Sequence, residues 1–257
     1  MPNDLSGVRI VLMEPAGSLN VGSVARVMKN MGLRDLVLVS PRCDPLSDEA
    51  RKMAVHAADV LEAAQQVQTL PEALQHCRRV VATTGRSDTT LRIPLELPRT
   101  VLPWLVMSED DAPAQTALIF GREDRGLTNE ELNYAQRLIF IPAHPAYPSL
   151  NLAQAVAICC YELAMIKNLG EAAIAPVSPS LPTDLPPFET LEAFYQQLEA
   201  FLLKIGYLYP HTAPSRMEKF RRLLHRAYPL TEEVAMLRGI LRQAEWALRQ
   251  QMPPDKR

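Results

Sequence analysis

Short apolar runs rich in β-branched side chains alternate with helical patterns through the first two thirds of the chain. Val8-Arg-Ile-Val-Leu-Met13 is the first such run. It precedes a helix predicted from about Asn20 to Met31, where Val21, Val24, Ala25 and Met28 recur at the spacing of one helical face. Leu36 to Val39, Val80-Val-Ala-Thr83, Ala117-Leu-Ile-Phe120 and Leu138-Ile-Phe-Ile141 repeat the strand signal, and the last leads into a helix from about Asn151 to Lys167. Strands that are apolar along their length, rather than alternating, are buried on both faces, and helical spacers between them permit parallel pairing. The expected architecture is α/β: a parallel sheet covered by helices.

From Phe188 onward the strand signal is gone. Leu191, Phe194, Leu198, Phe201 and Ile205 predict one helix, Met217, Phe220, Leu224 and Ala227 a second, and Val234, Leu237, Leu241, Ala244 and Leu248 a third. Thr231-Glu-Glu behind Pro229 is a start signal for the last. Between the two regions lie Pro176, Pro179, Pro182, Pro186 and Pro187, whose fixed φ and missing amide donors forbid helix or inner strand. The expected organisation is an α/β domain over residues 1–170, a proline-rich linker over 171–187 and a small all-α domain over 188–257.

Composition narrows the class. The chain has 257 residues, 47% of them hydrophobic and 22% charged, which excludes disorder over its whole length. A net charge of -2 conceals segregation, because residues from Phe188 onward carry 11 Lys/Arg against 8 Asp/Glu and the remainder 16 against 21. Cys43, Cys77, Cys159 and Cys160 form no C-x-x-C pair and are expected to be reduced thiols of a cytoplasmic protein. The longest apolar stretch, Leu152 to Ile166, is interrupted by Gln154 and Glu162, and the first residues lack a basic stretch followed by an apolar one. Neither a membrane span nor a secretion signal is expected.

Several common chemistries lack their signatures. No G-x-G-x-x-G follows the first strand, and neither G-x-x-x-x-G-K-[ST] nor G-x-S-x-G occurs. His56, His76, His144, His211 and His225 are scattered without ligand spacing, so no metal site is expected. What remains is three polar clusters at the carboxyl ends of predicted strands, where ligands gather in parallel sheets. The first is Gly17-Ser-Leu-Asn20-Val-Gly22-Ser-Val-Ala-Arg26. Gly22 lets a helix start close to another backbone. Asn20 and Arg26 either reach one phosphate or ligand together or serve as a helix cap and a solvated cation. The second is Phe120-Gly121-Arg-Glu123-Asp-Arg-Gly126-Leu127, a turn rich in charge that a local salt bridge would equally explain. The third runs from Ile141-Pro142 to Tyr147-Pro-Ser149-Leu-Asn151-Leu-Ala153, where Ser149 is placed to cap the next helix through its hydroxyl.

In this order and spacing the three clusters resemble the motifs of the SPOUT superfamily of RNA methyltransferases, over about residues 8 to 168. Asn20-x-Gly22-x-x-x-Arg26 resembles the first motif, Phe120-Gly-Arg-Glu123 with Gly126-Leu127 the second, and Ser149-Leu-Asn151-Leu-Ala153 the third. Val80-Val-Ala-Thr83-Thr-Gly85-Arg86, Thr128-Asn-Glu-Glu-Leu132 and the helical C-terminal extension are similar to the TrmJ group, which methylates the ribose 2′-hydroxyl at position 32 of the tRNA anticodon loop.

The resemblance implies a trefoil-knotted sheet that ordinary topology rules would reject, with S-adenosylmethionine held in the knot. It implies that Thr83, Thr84, Gly85, Gly121, Ile141, Pro148, Ser149 and Leu150 line the cofactor site. Relatives often carry serine where this chain has Pro148, so a contact there is limited to the carbonyl. Arg26 is the implied catalytic residue, with Asn20 and Ser149 orienting it or the ribose. A guanidinium is effectively never deprotonated, so its expected part is to clamp a phosphate and stabilise alkoxide charge rather than act as a base. The implied assembly is a homodimer whose active sites are shared between chains. Arg86 and Arg122 within the motif segments, and Arg216, Lys219, Arg222 and Arg226 on the second C-terminal helix, are the candidate tRNA contacts. Two rival functions are a SPOUT 2′-O-methyltransferase for another tRNA position or ribosomal RNA, and a knotted RNA-binding protein without catalysis.

Overall fold

A computed structural model describes residues 5–85, 94–106, 115–169 and 184–251. The chain divides into two units, Met1–Ser180 and Leu181–Arg257. Arg86, Pro176, Pro179 and Pro182, and with them most of the expected linker, lie outside the described residues.

The first unit is built on a seven-stranded sheet. Its strands are β1 (Val8–Met13), β2 (Asp35–Val39), β3 (Gln65–Val67), β4 (Arg79–Thr84), β5 (Leu95–Glu96), β6 (Thr116–Phe120) and β7 (Arg137–Phe140). They are ordered β3-β2-β1-β6-β4-β7-β5, and every neighbouring pair is parallel. The inner strands are the continuous apolar runs. Every residue of β6 is buried, as are Ile10 to Met13 of β1 and Arg79 to Ala82 of β4, which is what a sheet covered on both faces requires. β3 and β5 close the two edges with three and two residues, short enough to discourage further pairing. β6 is inserted between β1 and β4, and β7 between β4 and β5, so the late strands enter slots between earlier ones.

Among the described residues, seven α-helices accompany this sheet: α1 (Ser18–Asn30), α2 (Asp48–Ala54), α3 (Ala58–Ala63), α4 (Leu70–Ala73), α5 (Pro98–Val106), α6 (Asn129–Leu132) and α7 (Leu152–Leu169). α1 buries Val21, Gly22, Val24, Ala25 and Met28, the face its periodicity marks, and packs on α2, α3 and α7. Gly22 is required there, because a Cβ would lie 2.2 Å from the carbonyl oxygen of Ala50 in α2. α5 is helical despite Pro103, and its buried Trp104 accepts a hydrogen bond at its carbonyl from Arg79 Nη1 at 2.8 Å.

The described residues of the second unit form three helices, α8 (Phe188–Lys204), α9 (Ala213–Ala227) and α10 (Thr231–Gln251). Leu191, Phe194, Tyr195, Leu208, Ala213, Met217, Val234 and Leu241 form its core, with Leu198, Phe201, Phe220, Leu224 and Leu237 packed against it. Ile205, counted with the apolar face of the first helix, lies past its end and is 45% exposed. Arg221 holds Glu192 through two bonds of 2.7 and 2.5 Å and lies over the ring of buried Tyr195 at 4.3 Å, so α8 and α9 are joined by charge as well as by packing.

Candidate active site

Parallel strands all deliver their carboxyl ends to one side of the sheet, and here β4, β6 and β7 are adjacent. The residues just past those ends enclose a cavity of about 500 Å³. Thr83, Thr84 and Gly85 come from β4 and its exit, Gly121 from the exit of β6, Ile141 from the exit of β7, and Pro148, Ser149 and Leu150 from the segment before α7. All eight residues expected around the cofactor therefore line one cavity, and Leu127, Leu152 and Ala155 add apolar wall. Its size lies within the usual range for small-molecule sites, roughly 300–1,000 Å³, and a wall that combines the hydroxyls of Thr83, Thr84 and Ser149 with charged Arg122, Glu123, Asp124 and Arg125 and aliphatic side chains suits a ligand of mixed polarity. Gly85 has open space where a Cβ would stand, which leaves backbone groups accessible at the wall. Gly121 is needed for another reason. A Cβ there would lie 2.4 Å from the carbonyl carbon of Gly126, whose own φ of 70° lets the loop turn back on itself.

The three motifs are joined by hydrogen bonds. Glu123 accepts from the amides of Ala16 and Gly17 at the start of α1, at 3.2 and 3.3 Å, and from Asn20 Nδ2 at 3.1 Å. Asn20 Oδ1 in turn accepts from Asn151 Nδ2 at 2.9 Å. Asn151 then caps α7, accepting from the Ala153 amide at 2.9 Å, while its own amide donates to Gln154 Oε1 at 3.2 Å. One chain of contacts thus fixes the entrance to α1, the loop after β6 and the start of α7. Glu123 and Asn151 stand inside the recognised segments, yet their linking role depends on contacts across more than 100 residues that no local pattern reveals.

Four expectations are corrected. Asn20 does not cap α1; Gly17 holds that position and the Asn20 side chain is committed to Glu123 and Asn151. Nor do Asn20 and Arg26 converge on one ligand within a chain, because six residues advance a helix by about 9 Å and turn it to a different face. Arg26 is exposed, makes no ion pair with a described residue and is absent from the cavity wall, which Glu123 does line. Ser149 does not cap α7, since Asn151 does so two residues later. Arg122 is not a solvent-facing RNA contact. Its side chain is 7% exposed and its guanidinium binds Glu131 through two bonds of 2.9 and 2.8 Å and also holds Glu14.

That buried cluster sets its own electrostatics. The Arg122 hydrogen bond, helped by Arg42, holds the Glu14 carboxyl down at about 2 against the opposing effect of burial. Burial pushes Glu131 up, but the hydrogen bonds from Arg122 and Thr128 outweigh it and the net direction is down. Glu131 also completes a capping box with Thr128 at the start of α6, so one carboxylate serves a helix end and a buried cation together. Glu14 adopts φ of 40°, a left-handed conformation held at the exit of β1 by its amide bond to the Val39 carbonyl. Cys159 and Cys160 are buried, which raises both thiols, Cys160 to about 12.

On α9, Arg216, Lys219 and Arg226 are exposed, whereas Arg222 is half-buried and paired with Glu218 at 3.1 Å. The basic face is thus three residues rather than four. No group of three or more potential metal ligands occurs, and no helix is long and apolar enough to cross a membrane, among the described residues.

With this geometry in view, the chain belongs to the SpoU rRNA Methylase family, whose pattern matches residues 7–161. Residues 189–254 match the C-terminal domain of the tRNA methyltransferase TrmJ. Among individual relatives, the tRNA (cytidine/uridine-2'-O-)-methyltransferase TrmJ of Cronobacter sakazakii is 42% identical over 241 residues, covering 94% of this chain and 97% of its own. The enzyme of the same name from Salmonella typhimurium is 42% identical over 245 residues. The crystal structure of TrmJ from Z. mobilis ZM4 superposes with a TM-score of 0.77 at 32% identity, covering 92% of this chain and 98% of that one. A probable methylase family protein from Haemophilus influenzae Rd KW20 gives 0.60 at 32% identity.

Proposed function

We propose that this chain is an S-adenosylmethionine-dependent tRNA ribose 2′-O-methyltransferase. Its target is the cytidine or uridine at position 32 of the anticodon loop, and it works as a cytoplasmic homodimer with active sites shared between chains. The observation that carries the reading is the convergence of all eight expected cofactor residues on one cavity tied to Asn20 through Glu123. Relatives 42% identical along 94% of the chain, named for tRNA methylation, support the substrate class, and the similarity to the TrmJ group supports position 32. The slots that β6 and β7 fill support the trefoil threading.

Thr83, Thr84 and Ser149 would hold the polar parts of the cofactor and Ile141, Leu150 and Leu152 its apolar surfaces. When bound, S-adenosylmethionine supplies a methyl group on a sulfonium centre. The residues of the chain then have three tasks. They must place the ribose oxygen in line with the methyl carbon, offset the charge that develops on it, and give its proton somewhere to go. Positioning is worth several kcal/mol. Arg26 is the group for the second task, since a guanidinium near developing alkoxide stabilises it without changing protonation state. The proton passes to the neighbouring phosphate or to water. Arg26 is exposed and does not line its own cavity, which supports its serving the cavity of the second chain.

The test is nucleoside mass spectrometry on unmodified tRNA and ribosomal RNA incubated with the protein and cofactor. The reading predicts 2′-O-methylcytidine or 2′-O-methyluridine at position 32 of tRNA. Methylation confined to ribosomal RNA or to another tRNA position would overturn it. Mixing an Arg26→Ala chain with a cavity variant such as Gly121→Val should restore activity that neither has alone, and no rescue would point to a site within one chain.

A further inference from the structure

The connection between α8 and α9 displays its aromatic rings outward on a fixed backbone. Tyr207 is 56% exposed and Tyr209 is 60% exposed, while Leu208 between them is 2% exposed and joins the core. His211 is also exposed, its ring lying nearly parallel to that of Tyr209 at 6.0 Å and 23°. The rings are not at the tip of a loose loop. The amides of Tyr207 and Leu208 both donate to the Leu202 carbonyl, at 3.0 and 3.1 Å, and Gly206 turns the chain with φ of 75°. On the other side the Tyr209 carbonyl accepts from the amides of Thr212 and Ala213, both at 2.9 Å, and from Thr212 Oγ1 at 3.2 Å.

Two large rings left in water on a pinned backbone, beside a buried leucine that anchors it, call for a partner rather than a core. The surrounding charge says what kind. Between Glu199 and Glu218 the sequence contains no carboxylate but includes Lys204 and Arg216. The connection feeds directly into the first turn of α9, where Arg216 is exposed, followed by Lys219. Aromatic faces next to exposed cations match unstacked nucleobases joined by phosphates, the arrangement single-stranded nucleic acid presents. A prepositioned ring loses little freedom on binding, so stacking on it is used efficiently.

We infer that Tyr207 and Tyr209, with His211 behind the second ring, form a stacking surface for unpaired bases of the RNA whose phosphates run along α9. The inference rests on the proposed tRNA substrate and adds to it the part of the RNA that the helical unit grips: a single-stranded loop, not a duplex. The cations fix the backbone and the rings select unpaired bases.

The experiment uses the full-length protein with two synthetic RNAs, an anticodon stem-loop carrying 2-aminopurine in its loop and a fully paired duplex of equal length. Binding is measured across a salt series. Replacing both rings (Tyr207→Ala with Tyr209→Ala) should weaken stem-loop binding by about ten-fold or more and abolish the fluorescence change. Duplex affinity and the slope of affinity against salt should stay the same. Tyr207→Phe with Tyr209→Phe should restore binding, since it keeps the rings and removes only hydroxyls. Arg216→Ala with Lys219→Ala should weaken both RNAs and flatten the salt dependence. Undiminished stem-loop binding by the double-alanine variant, or equal loss for stem-loop and duplex, overturns the inference while leaving methylation of tRNA intact as a reading. Failure of the unaltered protein to bind tRNA at all overturns both.

Discussion

The two units use their cations in opposite ways. In the sheet unit, arginines near the strands turn inward: Arg9 pairs with Asp35 at 3.0 Å, Arg79 donates to the Trp104 carbonyl, Arg137 pairs with Glu96, and Arg122 is closed between Glu14 and Glu131. In the helical unit, α9 turns Arg216, Lys219 and Arg226 to solvent and keeps inward Arg221, which ties it to α8, and Arg222, which pairs with Glu218. An arginine inside a recognised motif is therefore no guide to where its charge is spent. The face of a regular helix is. Arg26 on α1 and Arg34 just before β2 depart from this pattern, both exposed and without an ion pair among the described residues.

The contrast is broken most severely at Arg26. Arg26→Ala should lower the methylation rate by at least about 10²–10³-fold while calorimetry shows cofactor affinity unchanged, because the residue is outside the cavity wall. An active variant would remove it from the mechanism. Next comes Arg122→Met, which leaves Glu14 and Glu131 without their cation and should cost about 3–5 kcal/mol in denaturant unfolding. A loss no larger than that of an exposed arginine would mean the cluster is not structural. Gly121→Ala should cost about 1–3 kcal/mol and weaken cofactor binding, since the added carbon meets Gly126 backbone at 2.4 Å.

The next effects are smaller. Replacing Arg216 or Lys219 by alanine should reduce the slope of log affinity against log salt by roughly one per charge, with unfolding unaltered. Smallest is an acid effect. Glu14 has its folded pKa lowered from 4.5 to about 2, so its contribution is complete above about pH 4.5 and is lost as pH falls toward 2. Glu14→Gln should therefore flatten the decline of stability over that interval, and an unchanged profile would contradict the stated cause.

Much of the sheet was legible because burial on both faces writes itself as uninterrupted apolar sequence, as in Ala117 to Phe120. The edges were not. Gln65–Val67 and Leu95–Glu96 are strands only because their backbones pair with β2 and β7, a property with no side-chain signature at that length. α5 was hidden by Pro103, and α2, α3 and α4 by their brevity. At the candidate site, the cavity residues followed from a motif resemblance, whereas the inward turn of Arg122 depends on Glu14 and Glu131, one of them 108 residues away. The cap of α7 was placed two residues early because serine and asparagine carry the same local signal, and only Asn151 also reaches Asn20.

In the proposed reaction a methyl group passes from a donor in the β4, β6 and β7 cavity to a tRNA ribose under the control of Arg26. Unmodified tRNA incubated with methyl-labelled S-adenosylmethionine, then digested and read by mass spectrometry, tests it most directly. Label is expected on the 2′-oxygen at position 32 with the unaltered protein and none with Arg26→Ala. Label on a base, or equal label with both proteins, would contradict it.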